Sequence, residues 1–304
     1  MALSLGPQAH KGPARPPSAA DRTECSQRVM AWHVRCTSVL PHARPGTRVM
    51  PHVTNLLRRS NAVTGPLVLF VLWWVTFQLQ LVSPKLLPSP IGTVQSLVES
   101  LVDGSMLVDF RHTVVRTFYA FVIAVVLGMP LGIVTGASPH IYRAFEFLID
   151  FFRSTPATAM FPLFLLIFGL GDFSKVAVAA FAAFLIVYFN VAYGVMNARQ
   201  TRLLAAKVMG ASRLRIFWDV HFYETLPQTF IGLRIAVSLA LVVIIVAEMF
   251  IGSDNGLGHR IIDMQIVFNV RQMYATIIMT GVLGYGLNVI FLLTEKHFVH
   301  WAGH

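Results

Sequence analysis

The chain has 304 residues, of which 55% are hydrophobic and only 12% charged, with a mean hydropathy of +0.64. A soluble domain carries about 25% charged residues, so this composition excludes an ordinary soluble fold and points to a polytopic membrane protein. The formal net charge of +10 sits mostly in residues 1–60, where nine Lys and Arg stand against Asp21 and Glu24, so it implies no folded basic face for nucleic acid.

Residues 1–60 are rich in Pro, Arg, Ser, His and Ala, show no sustained apolar period and read as a disordered tail. They lack the apolar core and cleavage site of a secretory signal. Met50, followed by a basic run ending in Arg58–Arg59, is an alternative start. The two cysteines, Cys25 and Cys36, lie in this tail and form neither a disulfide framework nor a metal site, so no metal and no cofactor is expected.

From residue 61 to about 300 the hydropathy predicts one transmembrane domain of six spans, each near the roughly 20 residues that a 30 Å hydrocarbon core requires. The first is 63–82, ending at Leu87–Pro88–Ser89–Pro90, and a short amphipathic helix follows over 91–107. The later spans are 113–135, 145–170, 173–196, 230–251 and 273–298. The second repeats a small residue every fourth position: Ala120, Ala124, Gly128, Gly132 and Gly136. On a helix these form one stripe, along which a neighbouring helix packs closely.

Basic residues set the orientation. The tail, the 138–143 turn and the segment holding Arg199, Arg202, Lys207, Arg213 and Arg215 fall on one face, and the opposite face mixes signs. Both termini are therefore expected on the cytoplasmic side of a bacterial inner membrane.

The segment 198–225 is a polar island between two spans. Helix-favouring Leu203–Met209 stops at Gly210, which tolerates positive φ. Ser212 can cap a second helix by accepting an orphan N–H. The result is a helix–turn–helix bend below the membrane, narrow at Ala205, Ala206 and Ala211, and suited to a groove on a soluble partner.

This island resembles the coupling loop of ABC importer permeases, in which Glu-Ala-Ala precedes a Gly and a later Gly-Leu-Arg. Ala205–Ala206, Gly210–Ala211–Ser212, Phe217, Pro227 and Gly232–Leu233–Arg234 fit that pattern. Ala247–Glu248 with Gly256–Leu257–Gly258 is similar to the sulfonate, taurine and nitrate branch. So are Leu87–Pro88–Ser89–Pro90, Thr155–Pro156, Phe161–Pro162–Leu163 and Phe168–Gly169. Two positions depart: Leu204 stands where the family has Glu, and Phe222–Tyr223 where Leu–Pro is usual.

The resemblance implies the all-α fold of a type I importer permease with a cytoplasmic coupling helix–turn–helix. It also implies a cytoplasmic ABC ATPase dimer gripping Ala205, Ala206, Gly210, Ala211 and Ser212, a second permease copy, and an extracytoplasmic binding protein delivering a small anionic solute. The chain carries no G-x-x-x-x-G-K-[ST] phosphate loop, so ATP hydrolysis belongs to the separate subunit and the chain itself is not an enzyme.

Polar groups inside spans are candidates for the substrate path. Arg153 has two readings, an anion contact or a snorkelling side chain, and Glu248 is either a contact or a brace for the glycine-rich turn after it. Asn190 and Arg234 serve either the path or helix packing. The competing classes are a membrane-embedded enzyme and an ion-coupled carrier or channel. No His pair at i, i+4 encloses a Glu, which disfavours the enzyme. The cytoplasmic bend has no role in a carrier.

Overall fold

A bilayer offers no water to backbone N–H and C=O groups, so a spanning segment must satisfy them internally; among the described residues every regular element is helical. The structure, a computed structural model, describes residues 51–298 except 84, 199, 217–219, 221 and 253. For 51–63, 200, 203, 213 and 214 it describes the backbone alone. The disorder expected of residues 1–50, the two cysteines and Phe217 lie outside the described residues. The chain divides into two units, Met1–Gly65 and Pro66–His304, and every site discussed below lies in the second.

In chain order the helices are α1 (Pro51–Gln78), α2 (Pro90–Val102), α3 (Ser105–Gly136), α4 (Pro139–Ser154), a 3₁₀ turn (Ala157–Met160) and α5 (Phe161–Phe168). They continue with α6 (Asp172–Met196), α7 (Gln200–Val208), α8 (Arg213–Ile216), α9 (Tyr223–Phe250), α10 (Leu257–Ile266) and α11 (Val270–Phe298). Four of them, α3, α6, α9 and α11, are each long and apolar enough to cross a membrane. The bent pair 139–154 and 157–168 makes a fifth if taken as one span. The apolar stretch Thr64–Gln78 of α1 is shorter.

Several expected boundaries move. Helix α1 begins at Pro51, inside the stretch read as tail. The amphipathic helix ends at Val102 rather than 107, because Gly104 turns the chain at φ +78° and α3 starts at Ser105. Helix α2 starts where Ser89 Oγ accepts the Gly92 N–H at 3.1 Å. The third span is not one helix: α4 and the 157–168 segment meet at 90°. Thr155 precedes a proline and is extended there (φ −85°, ψ 123°), since the ring of Pro156 disfavours the α region at the residue before it. Helix α10 was not anticipated. It lies directly after the glycine motif and carries a polar face.

The core is the packing of α3, α6 and α9 on one another. Ala120 and Ala124 are fully buried, and the glycines that follow them in the stripe touch α6 backbone. A methyl on Gly128 would lie 3.0 Å from Val187 Cγ1, one on Gly132 2.8 Å from the Tyr188 carbonyl oxygen, and one on Gly136 2.6 Å from that of Ala192. Gly136→Ala is therefore expected to destabilise the purified protein by about 1–3 kcal/mol through overpacking. Gly281→Ala on α11, where nothing lies within 4 Å, should be neutral or slightly stabilising. Melting temperatures in one detergent would compare the two.

Candidate functional site

The bend after α6 is built as a capped helix end. The Met209 N–H still donates to the Ala205 carbonyl at 3.0 Å. The Gly210 and Ala211 N–H groups then reach back to the carbonyls of Lys207 (3.0 Å) and Ala206 (3.1 Å). That reversal needs the left-handed backbone that Gly210 adopts at φ +77°. Ser212 Oγ accepts the Arg215 N–H at 3.4 Å, and the Ile216 N–H donates to the Ser212 carbonyl at 2.9 Å.

Ala206 and Ile216 are buried together with Ala198, joined by Ala211 and Val220. Ala205, Gly210 and Ser212 remain exposed. So do Leu204 (59%), Val208 (88%) and Met209 (78%), which leaves an apolar tip on a packed base. Arg202 of α7 forms an ion pair with Glu224 in the first turn of α9, tying the bend to the transmembrane bundle. Glu224 is not among the residues to which the sequence assigned a role.

At the other end of α3 and α9 a buried charged network joins three helices and a loop. Arg116 is 5% exposed and Glu248 1%. Arg116 Nη1 donates to Glu248 Oε1 and to the Asn255 carbonyl, each at 2.7 Å, and its Nη2 lies 2.7 Å from Asp172 on α6. Thr113 Oγ1 donates to Glu248 at 2.9 Å and accepts the Leu257 N–H at 2.9 Å. The Gly258 N–H donates to Glu248 Oε2 at 3.0 Å.

The Gly-Leu-Gly motif follows from this geometry. A methyl on Gly256 would lie 2.5 Å from the Glu248 carboxyl carbon, and one on Gly258 2.2 Å from the Ile245 carbonyl oxygen. Asp109 closes the arrangement, accepting the Gly256 N–H at 2.8 Å and facing Arg260 Nη1 at 3.2 Å. Lys175, its side chain 2% exposed, lies 3.5 Å from Asp172. Arg116 was absent from the sequence candidates. The signal was present, an arginine three residues beyond Thr113 in a span with few other charges.

The other candidates lie apart from this network. Arg153 has a side chain 57% exposed, pairs with Asp150 at 3.5 Å and sits over the Phe189 ring at 5.0 Å. Asn190, next to Phe189 on α6, donates to the Ile186 carbonyl at 2.8 Å and accepts from Gln228 at 3.0 Å. Gly232 leaves room for it, since a methyl there would meet Asn190 Cβ at 2.5 Å. Arg234 lies 3.6 Å from Glu295 on α11. Arg153 of α4 and Asn190 thus meet at one region of α6, whereas Arg234 pairs with Glu295 and Glu248 with Arg116. No group of three or more His, Cys, Asp or Glu suited to a metal occurs among the described residues.

Residues 128–302 match the model of a family described as binding-protein-dependent transport system inner membrane component. The taurine transport system permease protein TauC of Escherichia coli K12 is 28% identical over 88% of this chain and 98% of its own length. The formylaminopyrimidine transport permease protein ThiX of Halalkalibacterium halodurans is 30% identical over 75% of this chain and 92% of its own. The aliphatic sulfonates permease SsuC of Bacillus subtilis 168, described as putative, is 27% identical over 78% and 85%.

Among solved structures, a chain of the inward-facing MetNI methionine ABC transporter superposes with a TM-score of 0.57 at 18% identity, covering 64% of this chain and 97% of that one. That likeness carries the fold alone. The family match extends over more than half of the chain, from the glycines of α3 through the capped bend to α11. The chain therefore belongs to the binding-protein-dependent transport system inner membrane components: it is a membrane-spanning permease subunit of an ABC importer, driven by an ATPase on a separate subunit and served by a substrate-binding protein.

Proposed function

We propose that the chain passes a small organic anion of the sulfonate type, that a second copy of itself completes the path, and that the 200–216 bend is the surface its ATPase grips. In this reading Ala205, Ala206, Gly210, Ala211 and Ser212 form the coupling surface, and both chain ends face the cytoplasm. The observation that carries the solute class is the similarity to TauC along nearly the whole of that protein. The exposed apolar tip at Leu204, Val208 and Met209 on a clamped base supports the coupling role. It also accounts for Leu204 in place of the family's Glu, since contact through the tip is apolar and the clamp is supplied by Glu224.

Arg153 is the candidate anion contact, exposed beside the helix break and backed by the Phe189 ring. Asn190, Arg234 and Glu248 then serve the path through helix packing. A second reading, a neutral pyrimidine-type solute, is favoured by the 30% identity to ThiX.

Reconstitution with the ATPase and binding protein in proteoliposomes separates them. Labelled taurine should accumulate with ATP inside or outside as the ATPase requires, without a membrane potential. Arg153→Ala should slow that uptake about tenfold, the loss of one charge-assisted hydrogen bond. Accumulation of formylaminopyrimidine but not taurine removes the anion assignment, and full uptake by Arg153→Ala removes Arg153 from the path.

A further inference from the structure

The connection after α1 and the start of α11 enclose a cleft of about 660 Å³ lined by Lys85, Pro88, Phe268, Asn269, Val270 and Arg271. Two of these are cations and none is an acid. Among the described residues neither Lys85 nor Arg271 has an ion-pair partner, and each side chain is exposed. The backbone adds to this positive field. Asn269 Oδ1 accepts the Gln272 N–H at 3.4 Å, while no described residue accepts from the N–H groups of Val270 and Arg271 at the head of a 29-residue helix. The head of α2 is also near, because a methyl on Gly92 would lie 3.6 Å from Arg271 Nε. Two helix starts and two side chains of one sign thus surround a space that holds no compensating carboxylate.

Phe268 and the chain neighbours of the lining, taken as its rim, have the opposite character. Leu86 (61%), Ile266 (70%), Val267 (65%) and Phe268 (81%) present large apolar side chains outward. Phe268 does so from a left-handed backbone at φ 55°. The level in the membrane is marked by Trp73 of α1 and Tyr274 of α11, whose rings stack at 6.0 Å and 28°, one turn in from the ends of their helices. Trp and Tyr concentrate at the head-group level of a bilayer.

We propose that this cleft binds the head group of an anionic phospholipid, with its phosphate between Lys85 and Arg271 and its acyl chains along the exposed apolar rim. An acidic protein segment would satisfy the two cations but would leave four apolar side chains facing water. A lipid satisfies both, its phosphate meeting the two cations and its acyl chains the apolar side chains beside them. The assignment does not depend on which solute is transported.

Native mass spectrometry of the purified importer, released from bilayers of equal phosphatidylglycerol and phosphatidylcholine, tests it. The wild-type complex should retain phosphatidylglycerol in clear excess. Each cation facing the phosphate contributes about fivefold, so Lys85→Gln with Arg271→Gln should lower retention about twenty-fivefold. Arg111→Gln, an exposed cation outside the cleft, should leave it unchanged. Equal retention of the two lipids by the wild type, or equal phosphatidylglycerol retention by the double variant, overturns the proposal. So does displacement of the lipid by millimolar inorganic phosphate, which identifies a free-anion site. Unchanged lipid retention with loss of the binding protein from the double variant identifies an acidic protein partner instead and overturns it as well.

Discussion

Glu248→Ala is expected to lower the stability of the purified protein by about 3 kcal/mol, the low end for breaking a buried ion pair, because it leaves the buried Arg116 guanidinium with only the exposed Asp172 as a carboxylate partner. The same change strips the acceptor from Thr113 Oγ1 and from the Gly258 N–H. The loop between α9 and α10 then loses its anchor together with the ion pair. Arg116→Ala should be similarly harmful from the other side.

The double replacement Arg116→Met with Glu248→Met should recover part of the loss, since it removes the two buried charges together and leaves the exposed Asp172 paired with Lys175. A double-mutant cycle read by denaturation in one detergent would give the coupling between them. Additive single effects would mean that the two side chains act independently, contrary to their 2.7 Å contact.

Gly210→Val is expected to leave the protein inserted in the membrane while abolishing ATP-dependent uptake and solute-stimulated ATP hydrolysis. Nothing lies within 4 Å of a side chain placed there, so the effect is one of backbone conformation rather than of clash. A β-branched residue held at φ +77° is strained by about 1–3 kcal/mol, enough to unwind the last turn of α7 and displace Leu204, Val208 and Met209. Gly210→Asn should retain much of the activity, because Asn tolerates the left-handed region. The contrast between the two variants separates a shape requirement from simple dislike of a side chain. Undiminished coupling in the valine variant would remove the bend from the drive mechanism.

How much of this architecture is legible in the chain differs from element to element. The long apolar runs announce α3, α6, α9 and α11 because a bilayer leaves a helix as the only way to pair the backbone. The bend at Gly210 is equally local: a helix stop, a residue free to take positive φ and a capping serine lie within three positions. The fourfold spacing of Ala120, Ala124, Gly128, Gly132 and Gly136 marks a close-packing stripe for the same reason, since helix geometry alone puts such residues on one face. The 90° break at Thr155–Pro156 was written in the proline but was read through as one span, because hydropathy averages over the very residues that turn the chain.

The partners along those helices are another matter. Arg116 and Glu248 are 132 positions apart, and no periodicity in either helix says which residue of one will meet which residue of the other. That depends on the rotation and axial offset at which α3, α6 and α9 settle, which are set by the summed packing of small residues against backbone. The same holds for Arg202 with Glu224, and for Asn190 with Gln228. Hydropathy and turn chemistry by themselves determined the four long apolar helices and the helix stop at Gly210. Only the tertiary structure decided which buried charge is neutralised by which, because a charge in a low-dielectric interior must find its partner in space rather than along the chain.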